Sequence, residues 1–340
     1  MNNAERCDLL IVGAGPASMA AALAAAPSGM AITVVDDNIH PGGQIWRNGP
    51  GVHLPPLARQ HRDALARHPN IRLLCGTRVV GLGGPAAPGD APALLLEDAE
   101  RGWVQHSHRL ILCNGARELL LPFPGWTLPG VTGAGGLQAL VKGGLSVKGE
   151  RIVVAGTGPL LLAAADTARK AGAQVIRIAE QASWQALATF TLQLPRWPAK
   201  ALQATTLLNR HWRTSSHVLR AEGQGQVQSV HIQRGTQQET LACDRLACGF
   251  GLVPNTQMGQ LLGCTLNTRQ GLQVDSHMAT SVPRVYAAGE CTGFGGSERA
   301  LAQGAIAGHA AAGDTIRARH CCPAWPAGRV LLTCCTASFS

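Results

Sequence analysis

The chain has 340 residues, of which 46% are hydrophobic and 14% are charged, and its formal net charge is +9. This length allows a large core and about two domains. Aromatic residues are few (five Phe, one Tyr and seven Trp) and no run of Lys or Arg stands out, so a nucleic-acid partner is not expected. The positive charge would suit an acidic partner or a phosphate-bearing cofactor, although a solvated basic surface is the simpler interpretation.

The first ten residues, MNNAERCDLL, lack a basic segment followed by an apolar one, and so do not resemble a secretory signal. Pro, Gly or Asp interrupts the most apolar stretches before they reach the length of a membrane span. We therefore expect no transmembrane segment and a cytoplasmic protein, which could still reach the inner membrane through partners. The eleven cysteines include no C-x-x-C pair, and we expect buried thiols rather than disulfides or metal ligands.

The chain opens with a predicted βαβ unit. CDLLIVGAG is a strand that runs into a glycine turn, PASMAAALAAA is a helix, and MAITVVDD is the next strand. Gly13 allows a tight turn, and Gly15 lets the backbone approach a pyrophosphate. The helix that begins at Pro16 and Ala17 would offer its N-terminal end to that anion.

Asp36 ends the second predicted strand, where a carboxylate can accept hydrogen bonds from both hydroxyls of an adenosine ribose. The adjacent Asp37 is included among the cofactor-binding candidates. Ser18 occupies the third position of the glycine fingerprint, which predicts slightly looser packing of the helix on the strand.

Two further segments complete the first predicted site. In HPGGQIWR, the glycines allow a tight fold and Gln44 could bond to a ring system, although an ordinary turn is the alternative. In ATSVPRVYAAGECTG, a strand delivers Gly289 and the carboxylate of Glu290. A helix follows, with Ser297 as its expected cap and Glu298 in its first turn. Its N-terminus could stabilise negative charge that gathers on the pyrimidine edge of a flavin on reduction.

The stretch RIVVAGTGPLLLAAADTARKAG repeats the opening pattern. Five residues form this second predicted nucleotide site: Gly156, Gly158, Pro159, Leu160 and Glu180. Glu180 favours a free ribose diol, and therefore NAD(H) or another adenine nucleotide rather than NADP(H). Leu161 is bulky where close packing is wanted, which predicts a wider gap between helix and strand. A duplicated site that no longer binds tightly is the alternative.

Between and after the two copies, other elements are predicted. Residues 71–116 indicate short strands in an antiparallel meander laid on the first domain. Residues 183–216 form an amphipathic stretch with Trp184, Trp197 and Trp212, which we interpret as a helix packed on the second domain; an exposed partner-binding surface is the alternative.

GAGPAS with Asp36, GGQ, LILCNGA and TSVPRVYAAGE together resemble the FAD-binding motifs of the two-dinucleotide-domain flavoprotein reductases. The resemblance implies an α/β fold with two Rossmann-like three-layer dinucleotide-binding domains, the second inserted in the first, with antiparallel meanders. It assigns 1–121 and 255–318 to a split FAD domain, 122–254 to an inserted NAD-binding-like domain that would bind NAD or another adenine nucleotide, and 319–340 to an irregular cysteine-containing tail.

The same resemblance implies the residues that contact FAD. These are Gly13, Gly15, Pro16, Ala17, Asp36, Asp37, Gly43, Gln44, Val79, Asn114, Gly115, Gly289, Glu290, Arg299 and Ala300. The sequence has Cys113-Asn114-Gly115 where relatives usually have Ala-Thr-Gly, and Glu290 where they usually have Asp. No catalytic acid or base can be named, and no metal site is expected.

The sequence departs from the disulfide reductases of this architecture, which place a C-x-x-C pair early in the inserted domain or in the N-terminal flavin domain. Here the inserted domain begins GVTGAGGLQALVKGG, and the N-terminal domain has no such pair. Because dithiol–disulfide exchange needs two sulfurs within bonding reach, thioredoxin or glutathione reductase activity is not expected.

DDNIHPGGQIWR, GARELLLPFPGWTLPGVTGAGGLQALVKGG, VVAGTGPLLLA and CDRLACGFGLVPN resemble a narrower family. It comprises the FAD-containing subunits of heteromeric opine oxidase, hydroxyproline and proline dehydrogenases, and hydrogen cyanide synthase. The resemblance implies a hetero-oligomer in which a second FAD- or FMN-containing subunit oxidises an amino-acid C–N bond and this chain passes the electrons on.

Relatives usually continue into a cysteine-rich domain for a 2Fe-2S cluster, whereas this sequence stops after RHCCPAWPAGRVLLTCCTASFS. The adjacent pairs Cys321/Cys322 and Cys334/Cys335 do not have the usual ligand spacing, so we expect a loosely ordered, thiol-rich tail; a cluster bound by these four thiolates is the alternative. A small 2Fe-2S subunit is therefore a candidate partner. Two other functions stay open: a stand-alone NADH:acceptor flavin reductase, and a non-catalytic nucleotide-binding assembly subunit.

Overall fold

The computed structural model describes residues 4–49, 52–85, 87–185 and 211–321. The chain forms two compact units. The first contains the chain up to Asn48, His53–Arg117 and the chain from Val253 onward, and the second contains Gly49–Val52 and Glu118–Leu252. The second unit is therefore inserted into the first.

The first unit is built on a seven-stranded sheet. Its strands are β1 (Ala4–Val12), β2 (Ile32–Asp36), β3 (Ile71–Cys75), β4 (Arg78–Leu82), β5 (Leu94–Glu97), β6 (Gly102–Leu112) and β17 (Val285–Ala287). The order is β3-β2-β1-β6-β5-β4, and β17 also pairs with β6. Strand β1 runs parallel to both β2 and β6, so the turn after Val12 lies at the carboxyl edge of the sheet.

The structure differs from the predicted meander. Strand β3 pairs in parallel with β2, and the antiparallel part is limited to β5 with its two neighbours, β4 and β6. They extend the same sheet instead of lying across it. The reason is the length of β6, whose 11 residues pair with β5 at one end and with β17 at the other.

The described helices have the following bounds: α1 Pro16–Ala25, α2 Pro56–Arg67, α3 Ala134–Lys142, α4 Pro159–Lys170, α5 Gln257–Leu261, α6 Gly296–Ala311 and α7 Thr315–His320. Short 3-10 turns lie at Ala26–Ser28 and Glu290–Thr292. Helix α7 includes residues 319 and 320, which the sequence assigned to the tail. Residues 322–340, including Cys322, Cys334 and Cys335, lie outside the described part of the chain.

Helices α1 and α6 pack very closely in the first unit. Every residue of α1 is buried, because most are alanines that fit between the sheet and α6. A Cβ atom on Gly304 would overlap the carbonyl oxygen of Ala17, and one on Gly308 would overlap that of Ala21. The two glycines thus bring the backbones of α1 and α6 into direct contact.

The second unit has three layers. Its parallel sheet has the order β11-β10-β9-β15-β8, and a three-stranded antiparallel sheet has the order β12-β13-β14. The bounds are β8 Val131–Gly133, β9 Arg151–Gly156, β10 Gln174–Glu180, β11 Trp212–Arg213, β12 Ser216–Glu222, β13 Ser229–Arg234, β14 Gln237–Ala242 and β15 Arg245–Gly249. Helices α3 and α4 cover one face of the parallel sheet, and the antiparallel sheet covers the other.

Strands β7 (Ala116–Glu118) and β16 (Leu252–Pro254) pair where the chain passes between the units. Trp212, which the sequence placed in an amphipathic helix, lies in β11 because this segment pairs in parallel with β10. Trp197 and most of that predicted helix lie outside the described residues.

We predict that Gly304→Ala lowers the thermal unfolding midpoint. Helix propensity alone would favour Ala by about 0.5–1 kcal/mol. Overpacking against the α1 backbone should cost about 1–3 kcal/mol and outweigh that gain. Ala302→Ser, at a half-buried position of the same helix, is the matched control. A higher midpoint for Gly304→Ala would contradict the close approach of the two helices.

Candidate functional site

The first glycine turn and the GGQ segment lie side by side. The backbone N–H of Gly42 donates to the carbonyl of Ala14 at 2.8 Å. A Cβ atom on Gly43, which has a φ of 58°, would lie 3.1 Å from the Cα of Gly15. The contact of these two turns forms a cradle of backbone, which a larger side chain would fill.

The closing segment of the unit meets this cradle. A Cβ atom on Gly289 would lie 3.0 Å from the Cβ of Ala17 and 3.9 Å from the Cβ of Ala300. The Gly289 N–H donates to the side-chain oxygen of Gln303 in α6 at 3.0 Å. The sequence reasoning missed Gln303; a buried amide in a helix of small residues was the available signal.

Glu290 follows Gly289 and is half-buried. Burial raises the pKa of its carboxyl group. Within the described residues, no group donates a hydrogen bond to this carboxylate or forms an ion pair with it. Because a buried carboxylate without partners is unfavourable, it is suited to accept hydroxyl groups from a bound ligand.

Asn114 carries a second unsatisfied acceptor. Its side-chain oxygen is buried and has no hydrogen-bond partner within the described part of the chain. Its main-chain carbonyl accepts from the Asn255 side chain at 2.9 Å, and the carbonyl of Gly115 accepts from the Asn255 N–H at 3.0 Å. Burial raises the pKa of the neighbouring Cys113 thiol, which therefore stays protonated.

Asp36 is buried at the end of β2. Its Oδ1 accepts from the Asn38 N–H at 2.8 Å and from the Asn38 side chain at 2.7 Å, and its Oδ2 accepts from the Ala14 N–H. The carboxylate therefore holds the glycine turn and the loop after β2 together. Asp37 is exposed, and it accepts from the Asn38 side chain at 2.9 Å.

The other candidates of the first site are more dispersed. Pro16 is the first residue of α1, Gln44 is exposed, and Val79 is half-buried in β4 opposite Leu96. Arg299 is half-buried and donates to the carbonyl of Phe294 at 2.8 Å.

The expectation that Ser297 caps α6 is wrong. The helix begins one residue earlier, at Gly296, and Ser297 makes no capping hydrogen bond. Gly295 and Gly296 form the turn, so Ser297 already lies inside the first turn of the helix. Glu298 lies in that turn as expected.

The second nucleotide motif is built like the first. Gly156 has a φ of 136° and Gly158 a φ of 91°, and Pro159 starts α4, with the half-buried Leu160 next to it. Glu180 is buried at the end of β10, as Asp36 is at the end of β2. Its two oxygens accept from the Gly158 N–H at 3.1 Å and the Ala182 N–H at 2.9 Å.

Leu161 packs against a glycine of the neighbouring strand. It is fully buried, and a Cβ atom on Gly249 would lie 2.9 Å from its Cδ2. In the first unit the corresponding pair is Ser18 and Cys113, whose side chains face each other. In the second motif, therefore, the large residue is on the helix and the small one on the strand.

Helix α3 begins where disulfide reductases carry their cysteine pair. Both oxygens of Glu118 accept hydrogen bonds there, from the Gly135 N–H at 2.7 Å and the Gly136 N–H at 2.8 Å. A Cβ atom on Gly133 would overlap this carboxylate. Burial and the charge of Glu118 raise the pKa of Cys248 to about 12, so that thiol is also unreactive. The described cysteines from Cys7 to Cys291 are all free thiols.

Two glycine turns that follow parallel strands, each tied by an acid at the end of the next strand, define a two-dinucleotide-domain flavoprotein. Residues 7–311 match the model of the family described as pyridine nucleotide-disulphide oxidoreductase, and the chain belongs to this family. The expected resemblance and fold class are confirmed. Of the described helices, none is long and apolar enough to cross a membrane.

Individual relatives within this family are similar to most of the chain. The hydrogen cyanide synthase subunit HcnB of Pseudomonas protegens is 32% identical over 327 residues, which covers 88% of this chain and 68% of that protein. An opine oxidase subunit of Rhizobium meliloti is 29% identical over 324 residues, which covers 88% of this chain and 69% of that protein.

Solved structures show the same fold. The thioredoxin reductase of T. acidophilum has a TM-score of 0.70 at 22% identity, over 92% of this chain and 99% of that one. The L-proline dehydrogenase from P. horikoshii has a TM-score of 0.65 at 16% identity, over 91% of this chain and 56% of that one.

FAD is the cofactor of this family, and the site fits it. The glycines at positions 15 and 43 leave the backbone uncovered, so that it can approach a pyrophosphate. The side-chain oxygens of Asn114 and Glu290, which have no partner among the described residues, can accept hydrogen bonds from the cofactor. Bound FAD would supply the hydride and electron chemistry. The chain is therefore an FAD-dependent oxidoreductase, with a second domain of the NAD(P)H-binding kind.

We predict that Glu290→Gln stabilises the flavin-free protein in a pH-dependent way. Because the folded-state pKa of Glu290 is raised, the wild type loses stability as pH rises from about 4.5 through that higher value. The glutamine variant does not titrate and has no such loss. Its gain in stability over the wild type should therefore be absent below pH 4.5 and complete above the folded-state pKa of Glu290. Thermal unfolding midpoints between pH 4 and pH 8 measure the difference.

The exposed Glu298→Gln, in the first turn of α6, is the control and should not show this rise with pH. A Glu290→Gln variant that is less stable than the wild type at neutral pH would contradict the unpartnered carboxylate.

We predict that Gly249→Ala and Leu161→Ala are coupled. Gly249→Ala alone should cost about 1–3 kcal/mol by overpacking, and Leu161→Ala alone about 2–5 kcal/mol by leaving a cavity. In the double variant the new methyl group enters the space that Leu161 leaves, so the combined loss should be smaller than the sum of the two losses by about 1 kcal/mol. Denaturant unfolding of the four proteins measures the coupling, and strict additivity would contradict the shared space.

Proposed function

We propose that this chain is the electron-transferring FAD subunit of a heteromeric dehydrogenase that oxidises the C–N bond of an amino acid or opine. The main support is the similarity, over 88% of the chain, to HcnB and to the opine oxidase protein of Rhizobium meliloti, because both relatives are named as subunits. The alpha subunit of sarcosine oxidase from Rhizobium meliloti, 26% identical over 266 residues, is a further relative of this kind.

The start of α3 also supports a reaction without a dithiol. The N–H groups of Gly135 and Gly136 are bound by Glu118, and the segment holds no cysteine. Electrons from the flavin would therefore leave the chain without a dithiol relay at this place.

In the proposed cofactor site, the turn at Gly13–Ala17 binds the pyrophosphate and Asp36 binds the adenosine ribose. Glu290 lies near the ribityl chain or the pyrophosphate-side groups of FAD, at the other end of the cradle. Gly43, Gln44, Gly115 and Ala300 line the flavin. The protein holds and tunes the cofactor, and a partner subunit with its own flavin would remove two electrons and two protons from the amine to give an imine.

The test is purification of the protein from its source with its natural neighbours, under anaerobic conditions. A panel of amino acids and opines is added, and the flavin absorbance is followed. We expect at least one substrate to bleach the flavin of the complex, whereas the isolated chain should not respond. Failure to co-purify with a second flavoprotein, together with no bleaching by any substrate, would exclude the proposal.

A stand-alone NADH:acceptor reductase is the second candidate, favoured by the second nucleotide motif. Its acid, Glu180, is in place, and Gly249 makes room for Leu161. Anaerobic mixing of NADH with the isolated chain separates the two functions. Fast flavin bleaching would favour the reductase; an unchanged flavin spectrum would dismiss it.

A further inference from the structure

We infer that Arg47 binds the adenosine half of FAD. Arg47 follows the buried Trp46 in the GGQ segment and is itself half-buried. Its Nη2 donates to the side-chain oxygen of Asn38 at 3.1 Å. Its Nε is buried and has no hydrogen-bond partner within the described residues.

Asn38 links this guanidinium to the acid at the end of β2. The Asn38 side-chain nitrogen donates to Asp36 at 2.7 Å and to Asp37 at 2.9 Å, while its oxygen accepts from Arg47. Only one amide group therefore separates Arg47 from the carboxylate that is proposed to bind the ribose. Asp36, which the sequence singled out, is therefore part of a network with Asp37, Asn38 and Arg47.

The unpartnered Nε–H, close to the proposed ribose-binding carboxylate, is the observation that points to a ligand. Buried donors nearly always have an acceptor, and the cost of leaving one unsatisfied is larger when the group is charged. Arg47 has five N–H donors in a fixed planar fork, and Asn38 uses one of them. The nearest part of the proposed cofactor is its adenosine half, whose ribose and phosphate oxygens are acceptors. Arg47 would add a charged donor beside the acceptor carboxylate of Asp36.

The test compares ligands on the full chain after its flavin has been removed. We expect Arg47→Gln to raise the Kd for FAD by about ten- to a hundredfold, the usual range for a lost hydrogen bond to a charged group. FMN lacks the adenosine half, so its Kd should not change. Arg47→Lys keeps the positive charge but lacks the planar arrangement of N–H donors. Its Kd for FAD should therefore lie between the values of Arg47→Gln and the wild type.

Competition by adenosine and by ADP shows whether Arg47 contacts a ribose oxygen or a phosphate oxygen. If Arg47→Gln weakens the binding of adenosine and of ADP equally, Arg47 contacts the ribose. If it weakens only the binding of ADP, Arg47 contacts a phosphate. The matched control is Arg59→Gln, at an exposed position of α2 that has no side-chain partner among the described residues. This control should bind FAD, FMN and ADP like the wild type.

Two results would overturn the inference. One is an unchanged Kd for FAD in Arg47→Gln. The other is an equal loss of affinity for FAD and FMN, in Arg47→Gln or in Arg47→Lys, which would indicate that Arg47 only supports the fold. Neither outcome depends on an amine substrate or a partner subunit, so the proposed function is tested separately.

Discussion

The contact between α1 and α6 is the constraint on which the first unit depends. These helices come from segments almost three hundred residues apart, and they touch because Gly304 and Gly308 leave the α1 backbone uncovered. The same contact brings Gly289 against Ala17, and with it Glu290 to the glycine turn. A single cofactor can then be bound from both ends of the chain.

The two nucleotide motifs have the same hydrogen-bonding arrangement, although several of their residues differ. In each, an acid at the end of the second strand accepts from the N–H groups of the glycine turn and of the loop that follows: Asp36 from Ala14 and Asn38, Glu180 from Gly158 and Ala182. Such a carboxylate stabilises the turn before any ligand binds. Its remaining lone pairs can accept hydrogen bonds from hydroxyl groups, so the proposed recognition of a ribose would use the same residue that stabilises the turn.

Local patterns predicted the parts of the site that depend on neighbours in sequence. The glycine turns, the acids after β2 and β10, and the helices that begin at Pro16 and Pro159 are all features of a few adjacent residues. Ser297 shows where such patterns fail, because two preceding glycines moved the start of the helix. Strand β3 was misread because its parallel partner, β2, lies far away in the sequence.

What the sequence could not supply are the contacts between distant residues. Gln303 bonds to Gly289, Gly249 makes room for Leu161, and Glu118 occupies the start of α3, all through tertiary packing. The unsatisfied Nε of Arg47 is likewise visible only once its surroundings are known.

The most direct measurement is the affinity of the flavin-free chain for FAD. It compares the wild type with Asp36→Asn and Glu290→Gln, which change one end of the cradle each, and with the double variant. If one FAD molecule is held jointly by the opening and closing segments, each substitution weakens binding of that molecule and the double variant binds it most weakly. FAD binding that is unaffected by either substitution, or a wild-type chain that does not bind FAD, would contradict the account.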